Sequence, residues 1–270
     1  MKQVVFGCVL FLSGSAYAQE LFVYTEPASN VPARSLGFRL TQQFAASSSG
    51  NGVDYQLVPE IVWGASAKWM LHVEGFANSR NGSLKPEGGS LFIKYRFLSH
   101  DDIHRHFRMA FYSRWAYSSA AIIQPAIDLN GMNSGYEAGT IATKLINRMA
   151  VSGSASWIHA LNNCNKAGFI FPGSYRDALG YSLSAGRLML PKEYDNYEQL
   201  NMNWMIEFLG QTNLESGDSY IDMAPSLQFI IKSRFRIDLG YRFPLVNQLN
   251  RPASRFFLFR LEYNIFNAFK

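Results

Sequence analysis

The chain has 270 residues, 48% of them hydrophobic and 15% aromatic, and its 25 Lys plus Arg against 20 Asp plus Glu give a formal charge of +5. Past residue 18 no stretch reaches the roughly 18 consecutive apolar residues that a membrane-crossing helix needs, which excludes a helical membrane protein. The basic residues form no stripe interleaved with exposed aromatics, which argues against nucleic acid as a partner.

Lys2, the apolar run Val4 to Leu12 and the small-x-small pattern Ala16-Tyr17-Ala18 read as a cleavable export signal over residues 1–18. The mature chain is expected to begin at Gln19. Cys8 sits inside the hydrophobic run itself, which disfavours lipid attachment. Removal of the signal leaves Cys164 without an intrachain partner, so no disulfide framework is expected. Residues 19–34 include Thr25-Glu26-Pro27-Ala28-Ser29-Asn30-Val31-Pro32, with two prolines and no apolar period. An extended periplasmic lead is expected there, a passive tether being favoured over a plug folded back on the barrel.

Residues 35–270 show neither repeat nor composition shift and are expected to form one domain. They alternate apolar and polar residues in segments of about ten, as membrane strands do. In the first, Ser35 to Ala45, Leu36, Phe38, Leu40 and Phe44 oppose Gly37, Arg39, Thr41 and Gln43. The second, Asp54 to Ala65, aligns Tyr55, Leu57, Ile61 and Trp63, and Pro59 predicts a bulge. The third, Lys68 to Asn78, sets Trp69, Leu71 and Val73 against His72 and Glu74. The fourth, Gly89 to Leu98, opposes Leu91, Ile93, Tyr95 and Phe97 to Lys94 and Arg96. The fifth, Phe107 to Ser118, opposes Phe107, Met109, Phe111, Trp115 and Tyr117 to Arg108 and Arg114.

The sixth and seventh, about Gly135 to Ile146 and Met149 to Leu161, are rich in Gly, Ala and Ser, and their facing stays open. The eighth, Ala178 to Leu190, aligns Leu179, Tyr181 and Leu183. The ninth, Gln199 to Gly210, aligns Leu200, Met202, Trp204, Ile206 and Phe208. The tenth carries Ile221, Met223, Leu227, Phe229 and Ile231, and the eleventh Phe235, Ile237, Leu239, Tyr241 and Phe243. In the last, Phe257, Phe259, Leu261, Tyr263, Ile265 and Phe269 share one parity up to the C-terminus, and barrel closure requires this strand to pair with the first.

Ile146-Asn147-Arg148-Met149 and Lys232-Ser233-Arg234 read as tight turns, whereas Ser79 to Gly88, Ala120 to Ser134, Asn162 to Arg176 and Leu245 to Ala253 are long. In bacterial barrels the short turns face the periplasm and the long loops face outward. The expected fold class is therefore an all-β transmembrane antiparallel up-and-down barrel of about 12 strands, with ten or fourteen as alternatives.

Charges at strand centres and Trp or Tyr near strand ends favour lipid outside over a soluble sandwich. The interior is then lined by Arg39, Glu60, His72, Glu74, Lys94, Arg96, Arg108, Arg114, Glu207, Asp222, Asp238, Arg242, Arg260 and Glu262, together with Arg236. This mixed charge permits either a narrow hydrated pore or an ion-paired, closed interior.

No enzyme chemistry, cofactor or metal is expected. The outer-membrane phospholipase and the lipid A deacylase use a nearby His and Ser on the barrel wall, and omptin proteases use paired acids with a His, but this sequence has no His-x-Ser. His72 with Glu74 is read as lumen hydrogen bonding in preference to an acid/base pair. The cluster His100-Asp101-Asp102-Ile103-His104-Arg105-His106 is read as a solvated periplasmic turn in preference to a metal site. Cys164, amid Asn162, Asn163, Asn165 and Lys166 in a long outer loop, has no neighbour that would activate it.

The terminal aromatic Phe269 resembles the C-terminal signature by which the barrel-assembly machinery recognises outer-membrane proteins, although Lys270 follows where that signature ends. The stretch Tyr24 to Asn30 followed by Ala33-Arg34-Ser35-Leu36-Gly37-Phe38-Arg39-Leu40 resembles the opening of Bacteroidota outer-membrane barrels with no assigned activity. The length and strand rhythm are loosely similar to transporter-like barrels associated with phenol meta-pathway degradation. These resemblances imply a Gram-negative outer membrane, with lipid, lipopolysaccharide and the assembly machinery as partners. The expected function is a narrow pore for small solutes; alternatives are a closed barrel whose outer loops bind a ligand and, third, a membrane-embedded hydrolase.

Overall fold

The alternating segments become twelve antiparallel strands: β1 (Ser35–Ala46), β2 (Val53–Gly64), β3 (Trp69–Asn78), β4 (Lys85–Asp102), β5 (Arg105–Ser118), β6 (Ser134–Ile146), β7 (Met149–Leu161), β8 (Asp177–Leu190), β9 (Asn201–Asn213), β10 (Ser219–Ile231), β11 (Phe235–Asn247) and β12 (Phe256–Ile265). This computed structural model describes residues 22–46, 52–79, 82–102, 105–164, 175–191, 198–249, 251 and 253–269. Each strand pairs with its sequence neighbours, and β1 pairs with β12 from Leu36–Ile265 to Ala45–Phe256, closing the barrel. Closure leaves no unpaired sheet edge, which is what lets strands stand in hydrocarbon.

The outward rows are apolar, and the inward rows mix charged and polar residues with apolar ones. Trp115 is 68% exposed and Leu183 55%, whereas Lys94, Glu207, Asp222 and Asp238 are each 0% exposed. A barrel folded for water would reverse that distribution. Aromatic side chains gather near both rims. Trp69 packs on Tyr95 at 4.6 Å between ring centroids, at the rim where the barrel begins and ends. Tyr136 meets Trp157 edge-on at 5.3 Å near the far rim. The girdles expected from the strand ends are therefore present.

Connections at the near rim are short: residues 65–68, 103–104, 147–148 and 232–234. Asn147, Lys232 and Ser233 adopt positive φ of 55°, 52° and 55°, the left-handed geometry that suits tight hairpins to the strand twist. Residues 191–200 are the exception among them, longer than the asymmetry rule led us to expect. At the far rim, residues 119–133 and 162–176 form the longest connections.

Several boundaries differ from expectation. The Pro59 bulge is absent, because Leu57–Ala77 and Glu60–Glu74 keep one register across it. The ladder shifts instead at Phe76/Ala77, Arg96/Leu98, Leu188/Leu190 and Ile221/Asp222. The His100 to His106 segment is mostly strand rather than turn, since β4 and β5 pair out to Asp102–Arg105. His104 lies outside the described residues. β12 stops at Ile265, after which Asn267 turns at φ 53° and Phe269 packs on Trp63 at 6.1 Å.

Candidate functional site: the barrel lumen

One side of the lumen is a chain of ion pairs built by strand parity across the seam. Arg39 on β1 lies 3.0 Å from Glu60 on β2 and 2.8 Å from Glu262 on β12. Glu262 also holds Arg236 on β11 at 2.7 Å, and Arg236 holds Asp238 at 3.0 Å. Arg260 lies 3.7 Å from Asp238 and donates to Thr41 Oγ1 at 2.8 Å. Each charge in this chain of pairs has an opposite neighbour, which offsets the cost of keeping it out of water.

Glu60, His72 and Glu74 form a second group, with one ligand atom from each lying within 4.8 Å of the others. His72 Nδ1 lies 2.5 Å from Glu60 Oε1, so its partner is Glu60 and not Glu74 as the sequence suggested. Glu74 instead accepts from Ser90 Oγ at 2.5 Å and lies 3.6 Å from Arg114. The donor types suit a divalent cation, but Arg39 and Arg114 already neutralise the two carboxylates.

The segment before β1 overturns one expectation. Residues 22–31 are not an extended periplasmic lead but lie inside the barrel, with Phe22, Val23, Ala28, Ser29 and Val31 buried. Two features of the barrel wall draw it in. Small interior residues, among them Ala110, Thr143, Ala150, Ser152 and Ser184, leave volume that must be filled. Buried polar groups on the wall also need partners, and the segment supplies them.

Lys94 Nζ donates to Glu26 Oε1 at 2.9 Å, Pro27 O at 2.6 Å and Ser29 O at 2.7 Å, using all three ammonium donors. Glu207 accepts from the backbone N–H of Val23 (2.9 Å), Tyr24 (3.0 Å) and Thr25 (2.8 Å), and from Thr25 Oγ1 at 2.7 Å. Arg260 donates to Val23 O at 2.7 Å, Thr143 Oγ1 accepts from Ala28 N at 2.8 Å, and Arg108 donates to Ser29 Oγ at 2.9 Å. Apolar contacts fix the rest: Phe22 and Val23 cluster with Leu145, Ala150, Met205 and Leu258, and Val31 clusters with Val62, Met70 and Phe92.

Glu26 stands outside the spanning strands. Burial pushes its carboxyl up, but the attraction of Lys94, aided by His72 and Arg39, outweighs that and holds it below the ordinary value.

The far end is filled by the β5–β6 connection, which turns inward. Ile127 and Leu129 pack on Ile158, Ala160 and Ala178. Gln211 clasps Ile127 by both backbone groups at 2.9 Å, and Asn163 donates to Ala120 O and Met132 O. Beside this loop Asp222 receives Arg242 at 2.6 Å and Arg251 at 2.5 Å, with Arg251 stacked 3.7 Å over the Tyr220 ring.

Two small voids lie beside the inserts. One void of about 20 Å³ lies among Phe22, Glu26, Arg39, His72 and Arg236, and another of about 70 Å³ lies under the inward loop among Gln43, Asp54, Gln124, Asp128 and Phe256. A larger space of about 540 Å³ opens on the outer wall beside Phe38, Leu40, Ile61, Val73 and Tyr263.

Of the residues expected to point inward, all but Arg96 enter these networks. Arg96 reaches the near rim and donates to Ala67 O at 2.8 Å. In the histidine-bearing hairpin, Asp101 is engaged by Arg108 at 3.0 Å and His106 at 3.2 Å. Cys164 is exposed, and its backbone N–H donates to Ser118 O at 3.2 Å. Sequence reasoning missed Glu26, Gln211, Asn163 and Arg251. Glu26, Asn163 and Arg251 stand outside the alternating strands, so parity gave no signal for them.

No known family model matches this sequence, and none of the curated proteins matches it. Among solved structures, the chain is similar to the NanC porin (10% identity, 84% of this chain and 97% of that chain, TM-score 0.48). It is also similar to the KdgM porin (11% identity, 85% and 97%, TM-score 0.43) and to OprD of Pseudomonas aeruginosa (8% identity, 85% and 66%, TM-score 0.40). Likeness at this level carries no argument about solute or mechanism.

Proposed function

We propose that the protein is an outer-membrane channel for small solutes, in a closed state. The observation that carries the reading is that both obstructions in the lumen are segments outside the strands, held chiefly by side chains, while the barrel wall is complete without them. Residues 22–31 precede β1, and residues 119–133 link β5 to β6. Either can leave without breaking a strand ladder. Behind the N-terminal segment stands a charged wall, including Arg39, Glu60, Lys94, Arg108, Arg260 and Glu262, which would hydrate once vacated.

The apolar outer rows and the rim aromatics support insertion in a bilayer. Export by the 1–18 signal, a Gram-negative outer membrane, and insertion by the assembly machinery through β12 and Phe269 belong to the same reading. So does the finer kinship with Bacteroidota or phenol-pathway barrels, which rests on sequence resemblance alone.

A second reading has one observation in its favour. With the lumen filled at both ends, the barrel could be permanently closed and serve as a platform for its outer loops. Planar-bilayer recordings of the refolded chain, of a deletion of residues 22–31, and of that deletion with residues 121–131 also replaced by a short Gly-Ser turn separate the two. The channel reading expects small or rare openings in the full chain and a larger, steady conductance once both inserts are gone. Silence from all three, across salts and solutes, would favour the closed platform instead.

A further inference from the structure

The lumen contacts residues 22–31 chiefly through their main chain. Glu207 takes three consecutive backbone N–H groups, Thr143 takes that of Ala28, Arg260 reaches the carbonyl of Val23, and Lys94 reaches those of Pro27 and Ser29. All of these wall groups are side chains, so the segment is bound without joining the sheet. Such contacts depend little on the sequence of what is bound, because every peptide carries the same N–H and C=O groups.

Selectivity is left to a few positions. Ala28, fully buried, clusters with Ala110 and Ile141, a site for a small side chain. Val31 enters the Val62, Met70 and Phe92 cluster. Glu26 meets Lys94, a place for one acidic group. Glu207 has no ion-pair partner among the described residues, so a main-chain donor set is what its charge is matched to here.

We propose that the lumen is a binding site for a short peptide bent as residues 22–31 are, and that this segment occupies it as an internal surrogate for the solute. Naming a peptide of about ten residues as the solute rests on the channel reading above. The backbone-reading wall is the same whether the occupant is tethered or free.

The probe is a fluorescent decapeptide with the sequence of residues 22–31, offered to two barrels with intact walls: the 22–31 deletion, and the full chain carrying Ala28→Arg, which cannot seat its own segment against Ala110. Folding of each is checked by its heat-modifiable electrophoretic migration. Anisotropy reads binding in detergent, and planar-bilayer current reads block. The expected result is saturable binding and block by this peptide and by an unrelated decapeptide that keeps only the Glu and the small residue. Binding is expected to weaken at least tenfold when Glu207→Gln or Lys94→Met is added, with no effect from a linear oligosaccharide of similar length. A barrel that conducts but does not bind peptide, or that sugar blocks equally well, overturns the peptide site and leaves the channel. A barrel that binds peptide but never conducts, even with both inserts gone, overturns the channel and leaves the site.

Discussion

Lys94 Nζ lies 2.9 Å from Glu26 Oε1, so a fully buried lysine of the barrel wall is neutralised by a carboxylate from the segment that precedes the barrel. Because this attraction holds the Glu26 carboxyl below its ordinary value, the folded form binds fewer protons there than the free segment. Its contribution to docking is complete above the unfolded value of about 4.3 and is lost as pH falls through the folded value. The protection factors of the Ala28 and Val31 amides, taken against the intrinsic exchange rate at each pH, should be high at neutral pH and fall below about pH 4. Protection that persists unchanged in stronger acid would show that this pair does not hold the segment.

Gly240 faces the ring of Tyr24, and a Cβ built there would lie 2.7 Å from Tyr24 Cε2 and from its hydroxyl oxygen. Gly240→Val therefore forces Tyr24 out of its place, an overpacking cost of about 1–3 kcal/mol that falls on the docked state. The expected outcome is a higher open fraction in bilayer recordings with the barrel's thermal unfolding little changed. A variant that unfolds early without opening would assign Gly240 to barrel stability alone.

The outward rows can be tested at Leu183, 55% exposed on β8. In water Leu183→Arg would be nearly neutral, whereas near a bilayer midplane an arginine costs about 2–4 kcal/mol. Reversible unfolding from phospholipid vesicles should show a loss of that order, with Leu183→Ala losing less. Equal stability of the Arg variant and the parent would place this row outside hydrocarbon.

Arg39 bridges β2 and β12 through Glu60 and Glu262. Arg39→Met leaves two buried carboxylates short of a partner, and breaking one side of a buried pair costs about 3–5 kcal/mol. Because Glu262 keeps Arg236, the loss should sit at the lower end. Chemical denaturation in vesicles checks it, and a change under about 1 kcal/mol would mean that water already reaches these groups, as at an exposed pair.

The strand order was legible because a period of two is visible wherever bulky residues mark one face, as with Phe257, Phe259, Leu261 and Tyr263 on β12. β6 and β7 read weakly for a physical reason: their inward rows mix small residues, such as Thr143, Ala150, Ser152 and Ser156, with the apolar Ile141, Leu145 and Ile158, leaving little contrast with an outward row that is itself mixed. The small residues make room for the N-terminal segment, so the ambiguity and the plug share a cause. Most inward charges followed from parity, including Arg39, Glu207 and Asp238. Their partners did not, because His72 meets Glu60 only through cross-strand register, and Arg251 reaches Asp222 from a loop. The Glu26 to Pro32 stretch has no periodicity because its order comes from wall side chains, a long-range fit that local sequence does not record.

Thr25 Oγ1 and Ser184 Oγ lie 2.7 Å apart, one on the inserted segment and the other on β8. Replacing both by cysteine, with Cys164→Ser to remove the spare thiol, places two sulfurs where a disulfide can close. Bilayer current should stay blocked while that bond is intact and show intermittent openings once it is reduced in the same membrane. Failure of the bond to form, or one conductance in both redox states, would mean that residues 22–31 do not close this barrel.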